Sequence, residues 1–462
     1  MRKNLPLALA FTALLLIGAG CSIGGGPTVQ IKPVTLEYWR SEDSASDFQP
    51  IIDAYRKVRP NVQVVYREVS PSDYERQLLE ALAENRGPDL FSIPITWVGG
   101  WKNKIIPLPK ETIIPTQIVN ADKKIVTVNQ KSSTMSILGM RNTFVEGVTR
   151  DLIMPVPADK AGVAPTDGIW GLPFSYDTLA LYYNKTLLKS ASVEKPPTSW
   201  RELQEQAAKL TILAADGSIK QSGAAIGGSK NVLYSPDILA VLMSQNGAIL
   251  ADSNGYARFQ SYAGDTDGQA YPPGVMALIF YQGFANKGTA SYSWNDAMPI
   301  SLDAFVTGRT AFFFGYPSDM KRIRDRAPSL NFGVMPLPQV DPSKPKNIAR
   351  YPVEVVSAKT DNPNEAWDFL QFASKQEQMT GWLTASKRPT AIRSLIAGQL
   401  TDPDIAPFAG QILTGRSWYK GVDWELAESA FYEMISARPT EKHPEHQFIV
   451  GRAAAKVNDT LR

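Results

Sequence analysis

The sequence predicts an α/β fold with parallel, doubly wound sheets, distributed over more than one lobe. The chain has 462 residues, of which 44% are hydrophobic and 20% are charged, an ordinary balance for a globular protein with a sizeable core. Its length exceeds the roughly 100–200 residues of a single domain. β-branched and aromatic segments alternate with helical ones over short links, which is the pattern of parallel strands joined by helical crossovers.

The first 33 residues predict an export signal and a tether. A short positive region precedes an apolar run from Leu5 to Ile17, and small residues lead to Cys21. Because the run is shorter than the ~20 residues of a spanning helix, it indicates a secretory signal. The small residues before the only cysteine resemble a bacterial lipobox, in which the cysteine carries lipid. We assign 1–21 to a lipoprotein signal peptide and 22–33 to a flexible tether; ordinary signal cleavage is the alternative.

After the tether, three strands and two helices alternate. The helices carry apolar residues three and four apart, from Phe48 to Val58 and from Tyr74 to Leu82. The three strands are rich in β-branched and aromatic residues and are predicted at Val34–Trp39, Val62–Tyr66 and Asp89–Ile93. Ligands of such sheets bind at the carboxyl ends of the strands. Trp39, Glu42 and Trp97 lie at or beyond these ends and are candidates for a binding site.

The middle of the chain is less regular. Residues 102–168 show no clear period. A strand is then predicted over Leu179–Asn184, followed by a helix capped by Thr198 or Ser199 and a further helix over Ile238–Asn246.

Rare residues exclude several classes of protein. Cysteine occurs once and histidine twice, as His443 and His446, so an internal disulfide is impossible and a catalytic triad or a histidine-rich zinc site lacks residues. The formal charge is +3, with no basic stripe, which argues against nucleic-acid binding. We predict no catalytic residues, no metal and no cofactor.

Short motifs in a fixed order resemble the extracellular solute-binding proteins of bacterial ABC importers, in the class that includes maltose-binding protein. These motifs run over most of the mature chain and comprise Leu36-Glu37-Tyr38-Trp39, Gly87-Pro88-Asp89-Leu90-Phe91, Gly171-Leu172-Pro173-Phe174, Leu181-Tyr182-Tyr183-Asn184-Lys185, Pro197-Thr198-Ser199-Trp200, Phe305-Val306-Thr307-Gly308-Arg309, Phe332-Gly333-Val334-Met335-Pro336 and Asn364-Glu365-Ala366-Trp367. The resemblance implies a two-lobe fold of the periplasmic-binding-protein type, with a ligand cleft between the lobes and several hinge crossings.

The resemblance also places the lobes and implies a role. The crossings fall near 175–178, near 348–352 and after Arg393. Lobe 1 is then 34–175 plus 351–397, and lobe 2 is 176–350 plus 398–462. The implied protein is a monomer that captures a small solute by hinge closure and delivers it to the membrane subunits of an importer. It would be exported and held by its lipid alone on the outer face of the cell membrane, or on the periplasmic side in a cell with two membranes.

A carbohydrate is the expected ligand. Aromatic rings cover the C–H face of a sugar, while carboxylates, amides and arginines bind its hydroxyls. The candidates from strand ends, crossings and loops are Trp39, Glu42, Trp97, Tyr176, Asp177, Trp294, Tyr316, Tyr351, Glu354, Arg388 and Trp418. Each tryptophan chosen in this way could equally be a core residue.

Two alternatives remain open from the sequence. The first is a solute other than a sugar. A polyamine would be bound by acids and aromatics, with Glu42, Asp177 and Glu354 as candidates. A polyol phosphate would be bound by arginine and backbone N–H groups, with Arg40 and Arg388 as candidates. A secreted glycoside hydrolase would require two converging carboxylates, for which Asp89, Asp177 and Glu354 are candidates.

Overall fold

The computed structural model describes residues 31–41, 43–158, 162, 164–252, 254–262, 271–437 and 444–461. The predicted lipid-bearing Cys21, the candidate Glu42 and His443 lie outside these residues.

Sixteen strands are assigned in the described residues: β1 (Val34–Arg40), β2 (Val62–Glu68), β3 (Leu90–Pro94), β4 (Ile105–Ile106), β5 (Glu111–Val119), β6 (Ile125–Ser133), β7 (Ile153–Val156), β8 (Thr166–Ile169), β9 (Ala180–Asn184), β10 (Ile212–Leu213), β11 (Ile219–Ala224), β12 (Thr310–Gly315), β13 (Phe332–Met335), β14 (Asn347–Ile348), β15 (Pro352–Ser357) and β16 (Gly415–Arg416).

The same residues form sixteen α-helices: α1 (Ala45–Val58), α2 (Tyr74–Ala83), α3 (Ile137–Thr143), α4 (Glu146–Leu152), α5 (Lys185–Ser190), α6 (Trp200–Leu210), α7 (Ser235–Gln245), α8 (Pro273–Gly283), α9 (Ser301–Val306), α10 (Pro317–Arg326), α11 (Pro363–Ala373), α12 (Gln376–Ser386), α13 (Ile396–Gln399), α14 (Ala406–Ala409), α15 (Trp424–Ser436) and α16 (Pro444–Asp459). Within these residues, no helix combines the length and the apolar composition needed to cross a bilayer.

Two five-stranded sheets organise the molecule and confirm the predicted α/β class. The first has the order β2-β1-β3-β15-β4 and the second β10-β11-β12-β9-β13. β1 is parallel to β2 and β3, as expected, but β15 runs antiparallel to both β3 and β4. β11 is parallel to β12, whereas β9 is antiparallel to β12 and β13. We call the parts built on the first and second sheets lobe 1 and lobe 2.

Each lobe has its own hydrophobic core. In lobe 1, Phe48 of α1 and Trp367 of α11 are buried with the strand residues Leu36 and Phe91. Helix α1 buries Phe48, Ile51, Ile52 and Tyr55 of the predicted face, whereas Val58, also expected there, is exposed because it lies at the end of the helix. In lobe 2, α7 is buried along most of its length and packs against α8 and α15, while α6 packs against the second sheet. Sheet and helices therefore bury one another separately in the two lobes.

The chain passes between the two cores three times. The first passage follows Tyr176, which packs in the core of lobe 1, and Leu179 packs in that of lobe 2. The second separates Ile348 from Ala349, and the third lies between Ile412 and Trp418. The three passages are linked by bridges between Ser175 and Thr390 and between Thr178 and Ala349, and by the β14–β16 pair. The exact lobe boundaries given above stay a prediction.

The irregular middle segment forms two hairpins on lobe 1. β5 pairs with β6 over nine residues each, and β7 pairs with β8. Helices α3 and α4 lie between these hairpins.

Candidate functional site

A cavity lies between the lobes and offers about 190 Å³ to water-sized molecules. Both lobes and two of the passages contribute to its wall. Its lining consists of Arg40, Ser41, Ser92, Ile93, Pro94, Asp177, Tyr234, Tyr316, Ser318, Arg350, Tyr351 and Pro352.

Strand direction explains why these residues meet. β1 and β3 are parallel and end at Arg40 and Pro94. β15 is antiparallel, so its first residue, Pro352, pairs with Pro94 at the same edge of the sheet. From lobe 2, β12 ends just before Tyr316. The carboxyl ends of the parallel strands, which the sequence indicated, thus form part of the wall.

Arg40 is part of this wall and belongs to a buried polar network. Its guanidinium donates hydrogen bonds to the carboxylates of Glu354 and Asp43 and packs 4.6 Å from the centre of the Phe48 ring. Glu354 also accepts hydrogen bonds from the hydroxyls of Tyr38 and, at 3.1 Å, Ser92. Burial raises the pKa of Glu354, although Arg40 opposes that effect. Glu354 therefore orients Arg40 and Ser92 and is not itself part of the lining.

Arg388 connects Asp177, in the first passage, to lobe 1. Arg388 donates a hydrogen bond to Asp177, and its other terminal nitrogen lies 3.6 Å from Asp43. Burial would raise the pKa of Asp43, but Arg388 and Arg40 outweigh it and hold that pKa below its usual value. The alternating charges Arg40, Asp43, Arg388 and Asp177 form one buried chain that ends at the cavity.

On the lobe 2 side, Asp237 organises the aromatic wall. It accepts hydrogen bonds from the Tyr316 hydroxyl at 3.0 Å and from the Trp418 indole at 2.9 Å. The Tyr234 ring meets that of Tyr316 edge-on, with 4.9 Å between the ring centres. Arg350 lies 3.8 Å from Asp237 and lines the cavity. Its charge is thus held in the cavity wall by contacts longer than a hydrogen bond.

Tyr351 forms the opposite aromatic surface. Its hydroxyl donates a hydrogen bond of 3.0 Å to Asp151, and its ring centre lies 4.7 Å from that of Tyr176. Burial raises the pKa of Asp151, although Lys420, 3.4 Å away, opposes that effect. Tyr176 is fully buried behind Tyr351 and donates to the Gly415 carbonyl at 2.8 Å. Only the first of these two tyrosines reaches the cavity.

Three of the residues predicted from the sequence line the cavity: Asp177, Tyr316 and Tyr351. Three more touch its lining residues from behind: Tyr176, Glu354 and Arg388. Trp418 reaches the wall only indirectly, through Asp237, which also binds Tyr316. Trp39 is buried, with the guanidinium of Arg67 4.2 Å from its ring centre. Trp97 stacks on Trp101 and packs against both cores, and Trp294 is fully buried in lobe 2.

The candidates for a carbohydrate site did not include Arg40, Ser41, Ser92, Tyr234, Ser318 or Arg350, all of which line the cavity. Arg40 and Ser41 follow directly on Trp39, so the strand-end argument reached the correct place and chose its neighbours. Arg350 lies inside the predicted second crossing. Tyr234 has a left-handed backbone, with φ of 60°, which no pattern in the sequence indicates.

The described lining suits a polar, neutral or anionic organic solute. It offers three tyrosines, three serines, one carboxylate and two guanidinium groups, whereas none of the described tryptophans reaches it. Of the three carboxylates considered for glycoside hydrolysis, only Asp177 lines the cavity. Glu354 binds Arg40 from behind, and Asp89 accepts hydrogen bonds from the Glu37 amide and the Thr360 hydroxyl elsewhere. Among the residues that the structure describes, no three His, Cys, Asp or Glu side chains are grouped to hold a metal ion.

Comparison with known proteins decides the family. The family model of the bacterial extracellular solute-binding proteins matches residues 39–380. The chain belongs to this family. The resemblance stated from the sequence is confirmed, and the molecule is an extracellular solute-binding protein.

Curated relatives of this solute-binding protein are distant in sequence. A protein of Brucella abortus strain 2308, provisionally named a binding protein, is 24% identical over 63% of this chain and 68% of its own length. The maltotriose-binding protein of Pyrococcus abyssi is 22% identical over 78% of this chain and 65% of its own length.

Solved structures establish the fold. An ABC transporter solute-binding protein of Thermotoga lettingae, bound to α-D-tagatose, superimposes with a TM-score of 0.65 at 18% identity, covering 93% of this chain and 100% of that one. The maltotriose-binding protein of Thermus thermophilus superimposes with a TM-score of 0.64 at 17% identity, covering 92% of this chain and 100% of that one. A cyclic α-maltosyl-1,6-maltose binding protein of Arthrobacter globiformis superimposes with a TM-score of 0.63 at 18% identity, covering 93% of this chain and 98% of that one. The predicted two-lobe fold of the periplasmic-binding-protein type is confirmed.

Proposed function

We propose that this solute-binding protein captures a carbohydrate in the cavity between its lobes and delivers it to an ABC importer without altering it chemically. The observation that carries the proposal is the cavity wall: three tyrosine rings, three serine hydroxyls, Asp177 and Arg350 converge there from both lobes. Rings can cover the C–H face of a sugar while the polar groups bind its hydroxyls. The maltotriose and tagatose named for similar proteins support the same class.

The size of the cavity favours a small saccharide. Ligand pockets usually measure about 300–1,000 Å³, and this one offers about 190 Å³ to water-sized molecules. A monosaccharide or disaccharide is therefore our first choice, and a longer oligosaccharide requires the lobes to move apart. Closure is favoured because the ligand gains contacts with both lobes at once.

Anchoring and assembly belong to the same proposal. Cys21 would carry the lipid and 22–33 would form the tether, with 34–175 plus 351–397 and 176–350 plus 398–462 as the two lobes. The protein would act as a monomer on the outer face of the cell membrane, or on its periplasmic side in a two-membrane cell, and would meet the membrane subunits of the importer.

A polyol phosphate is the second candidate ligand. Arg350 favours it, because its cationic end lines the cavity and meets Asp237 and Glu428 only at 3.8 Å. A polyamine is less suited, because the guanidinium of Arg388 already binds Asp177.

Calorimetric titration tests the proposal. The protein is titrated with mono-, di- and oligosaccharides, and with polyamines and polyol phosphates alongside. Saturable binding of one saccharide class, weakened by Tyr351→Ala and kept by Trp294→Phe, supports it. Trp294 is the matched control because it is an aromatic residue buried outside the cavity. Binding of a polyol phosphate alone would change the ligand, and slow cleavage of a saccharide would show an enzyme.

A further inference from the structure

We propose that the end of lobe 1 carrying the β5–β6 hairpin rests on an anionic bilayer surface, and that this contact adds to the lipid anchor proposed at Cys21. It is a contact with lipid headgroups and the outermost acyl carbons. The inference rests on the proposed anchor for its orientation, and it adds a partner that the binding cavity does not involve.

The tip of the hairpin is apolar on both of its faces. Val119 pairs across the hairpin with Ile125, and Ile118 with Val126. The exposed fractions are 67% for Val119, 57% for Ile125 and 43% for Ile118. Neighbouring cross-strand pairs point to opposite faces of a two-stranded ribbon. An apolar tip on both faces suits insertion into an interface more than packing against a single flat surface.

Positive charge surrounds the same tip. Lys123 and Lys124 are exposed in the turn between the two strands, beside the single acid Asp122. The turn is ordered by its own hydrogen bonds, in which the Asn120 amide donates to the Lys124 carbonyl at 2.9 Å and the Lys124 amide donates to the Asn120 side chain at 2.9 Å. Lysines beside exposed aliphatic residues are typical of segments that contact anionic lipid.

The predicted tether joins the folded part of the chain at this same end of lobe 1. The Val34 amide, at the start of β1, donates to the Asn61 carbonyl at 2.8 Å. Arg59, two residues before Asn61, donates a hydrogen bond of 3.4 Å from its guanidinium to the Thr116 hydroxyl of β5. At about 3.3 Å per residue, the hairpin extends roughly 13 Å from Thr116 to Asn120. The hairpin and the point where the tether joins the fold are therefore neighbours.

The length of the tether keeps this end near the bilayer. From Cys21 to Ile31, the first described residue, the chain can span at most about 35 Å. The end of α1 adds to the surface here, because Arg56 and Lys57 are exposed and Val58 is 54% exposed. The positive charges of the lobe end, including Lys32 at the end of the tether, complement an anionic membrane.

The orientation leaves the ligand cavity open. β1 begins at Val34, at the hairpin end, and finishes at Arg40, in the cavity wall. The cavity thus lies at the opposite edge of the sheet from the proposed bilayer contact. A second copy of the chain is a weaker candidate for this surface, because Pro115 within β5 and the charged turn oppose the addition of strands.

The test places a fluorescent probe on the hairpin. The full-length protein, carrying Val119→Cys, is produced with its own signal, labelled and reconstituted through its anchor into phosphatidylglycerol-containing vesicles with brominated acyl chains. The matched control is Leu213→Cys, an exposed leucine in the β10–β11 hairpin of lobe 2. We expect bromine quenching at position 119 and none at position 213. The double variant Lys123→Gln, Lys124→Gln should lower the ratio of membrane-embedded to free hairpin tips by about 25-fold, because each lysine near an anionic surface contributes about 1 kcal/mol.

The outcomes separate this inference from the proposed function. The bilayer contact is overturned by equal quenching at the two positions or by no quenching at position 119. It is also overturned if the quenching requires importer subunits or grows with protein density. If the protein does not sediment with the vesicles, the proposed anchor is contradicted. The labelled protein is then mixed with the same vesicles without reconstitution, and an unquenched probe at position 119 overturns the bilayer contact as well. Saccharide titration of the same protein reports the cavity independently.

Discussion

Arg388 donates a hydrogen bond to Asp177, which precedes it by 211 residues. Asp177 lies in the first passage between the lobes and lines the cavity, and Arg388 also approaches Asp43 of lobe 1. One guanidinium thus holds together the hinge, the first lobe and the wall of the binding site.

Replacing this arginine should cost more stability than most single changes. Arg388→Met leaves Asp177 and Asp43 buried without that guanidinium, and losing one partner of a buried ion pair costs about 3–5 kcal/mol. Urea unfolding measures the loss. Arg201→Ala is the matched control, because its pair with Glu205 is exposed and should contribute less than about 1 kcal/mol. Equal effects of the two changes would contradict the role given to Arg388.

A glycine contact should control closure of the lobes. A methyl group on Gly100 of lobe 1 would lie 2.2 Å from the Val422 carbonyl oxygen of lobe 2. Gly100→Ala therefore disfavours the closed arrangement, and an overpacking cost of about 1.4 kcal/mol would weaken ligand binding about tenfold. Calorimetry gives the affinity, and small-angle scattering shows whether the lobes stand further apart. Gly381→Ala, whose added methyl group meets nothing within 4 Å, should leave both unchanged.

Trp97 should report closure by its fluorescence. It is partly buried, stacks on Trp101 with 5.1 Å between ring centres, and packs against the cores of both lobes. Trp97→Phe should remove most of the ligand-dependent change in emission. Trp382→Phe, in the core of lobe 1, should preserve that change. The idea fails if both variants respond to ligand like the unmodified protein.

Asp43 should make the protein sensitive to acid. Its pKa is lower in the folded protein than its ordinary value of 3.8, so near that pH the unfolded chain binds more protons and stability rises with pH. The contribution is complete above the ordinary pKa and is lost as pH falls through the folded one. Asp43→Asn should flatten the acid side of a plot of unfolding free energy against pH. Asp361→Asn, at an exposed position, should leave it steep.

Tyr316 should contribute to affinity through its ring. Tyr316→Ala removes an aromatic surface from the cavity and should cost about 2 kcal/mol of binding, or roughly 30-fold in Kd. Tyr316→Phe keeps the ring and loses only the hydrogen bond to Asp237, so it should retain most of the affinity. A similar loss in both variants, measured by calorimetry, would indicate that the hydroxyl rather than the ring matters.

The sequence predicted strand ends better than it predicted side chains at those ends. β1 was expected, and its end does reach the cavity, but Arg40 lines it whereas Trp39 packs beneath Arg67. Successive residues of a strand point to opposite faces, so an error of one position exchanges a lining residue for a core residue. At the first passage both Tyr176 and Asp177 were candidates, and Asp177 lines the cavity whereas Tyr176 is fully buried.

Other features depend on contacts that are distant in sequence. Trp294 lies in a polar segment that indicates a surface loop, yet its ring is fully buried beside Gly228. The hairpins of the middle segment were missed because their exposed faces mix apolar and polar residues. A proline such as Pro71 is typical of the start of a helix, yet α2 begins only at Tyr74.

The position of β15 affects how the chain can fold during export. β15 lies between β3 and β4 in the sheet of lobe 1, although the whole of β9 to β14 separates it from them along the chain. The central pairing of that sheet cannot form before residue 357 has been synthesised. Contacts this far apart in sequence slow folding, so the amino-terminal part remains incompletely folded while most of the chain is made. The export that we propose would therefore act on a chain whose amino-terminal part is still incompletely folded.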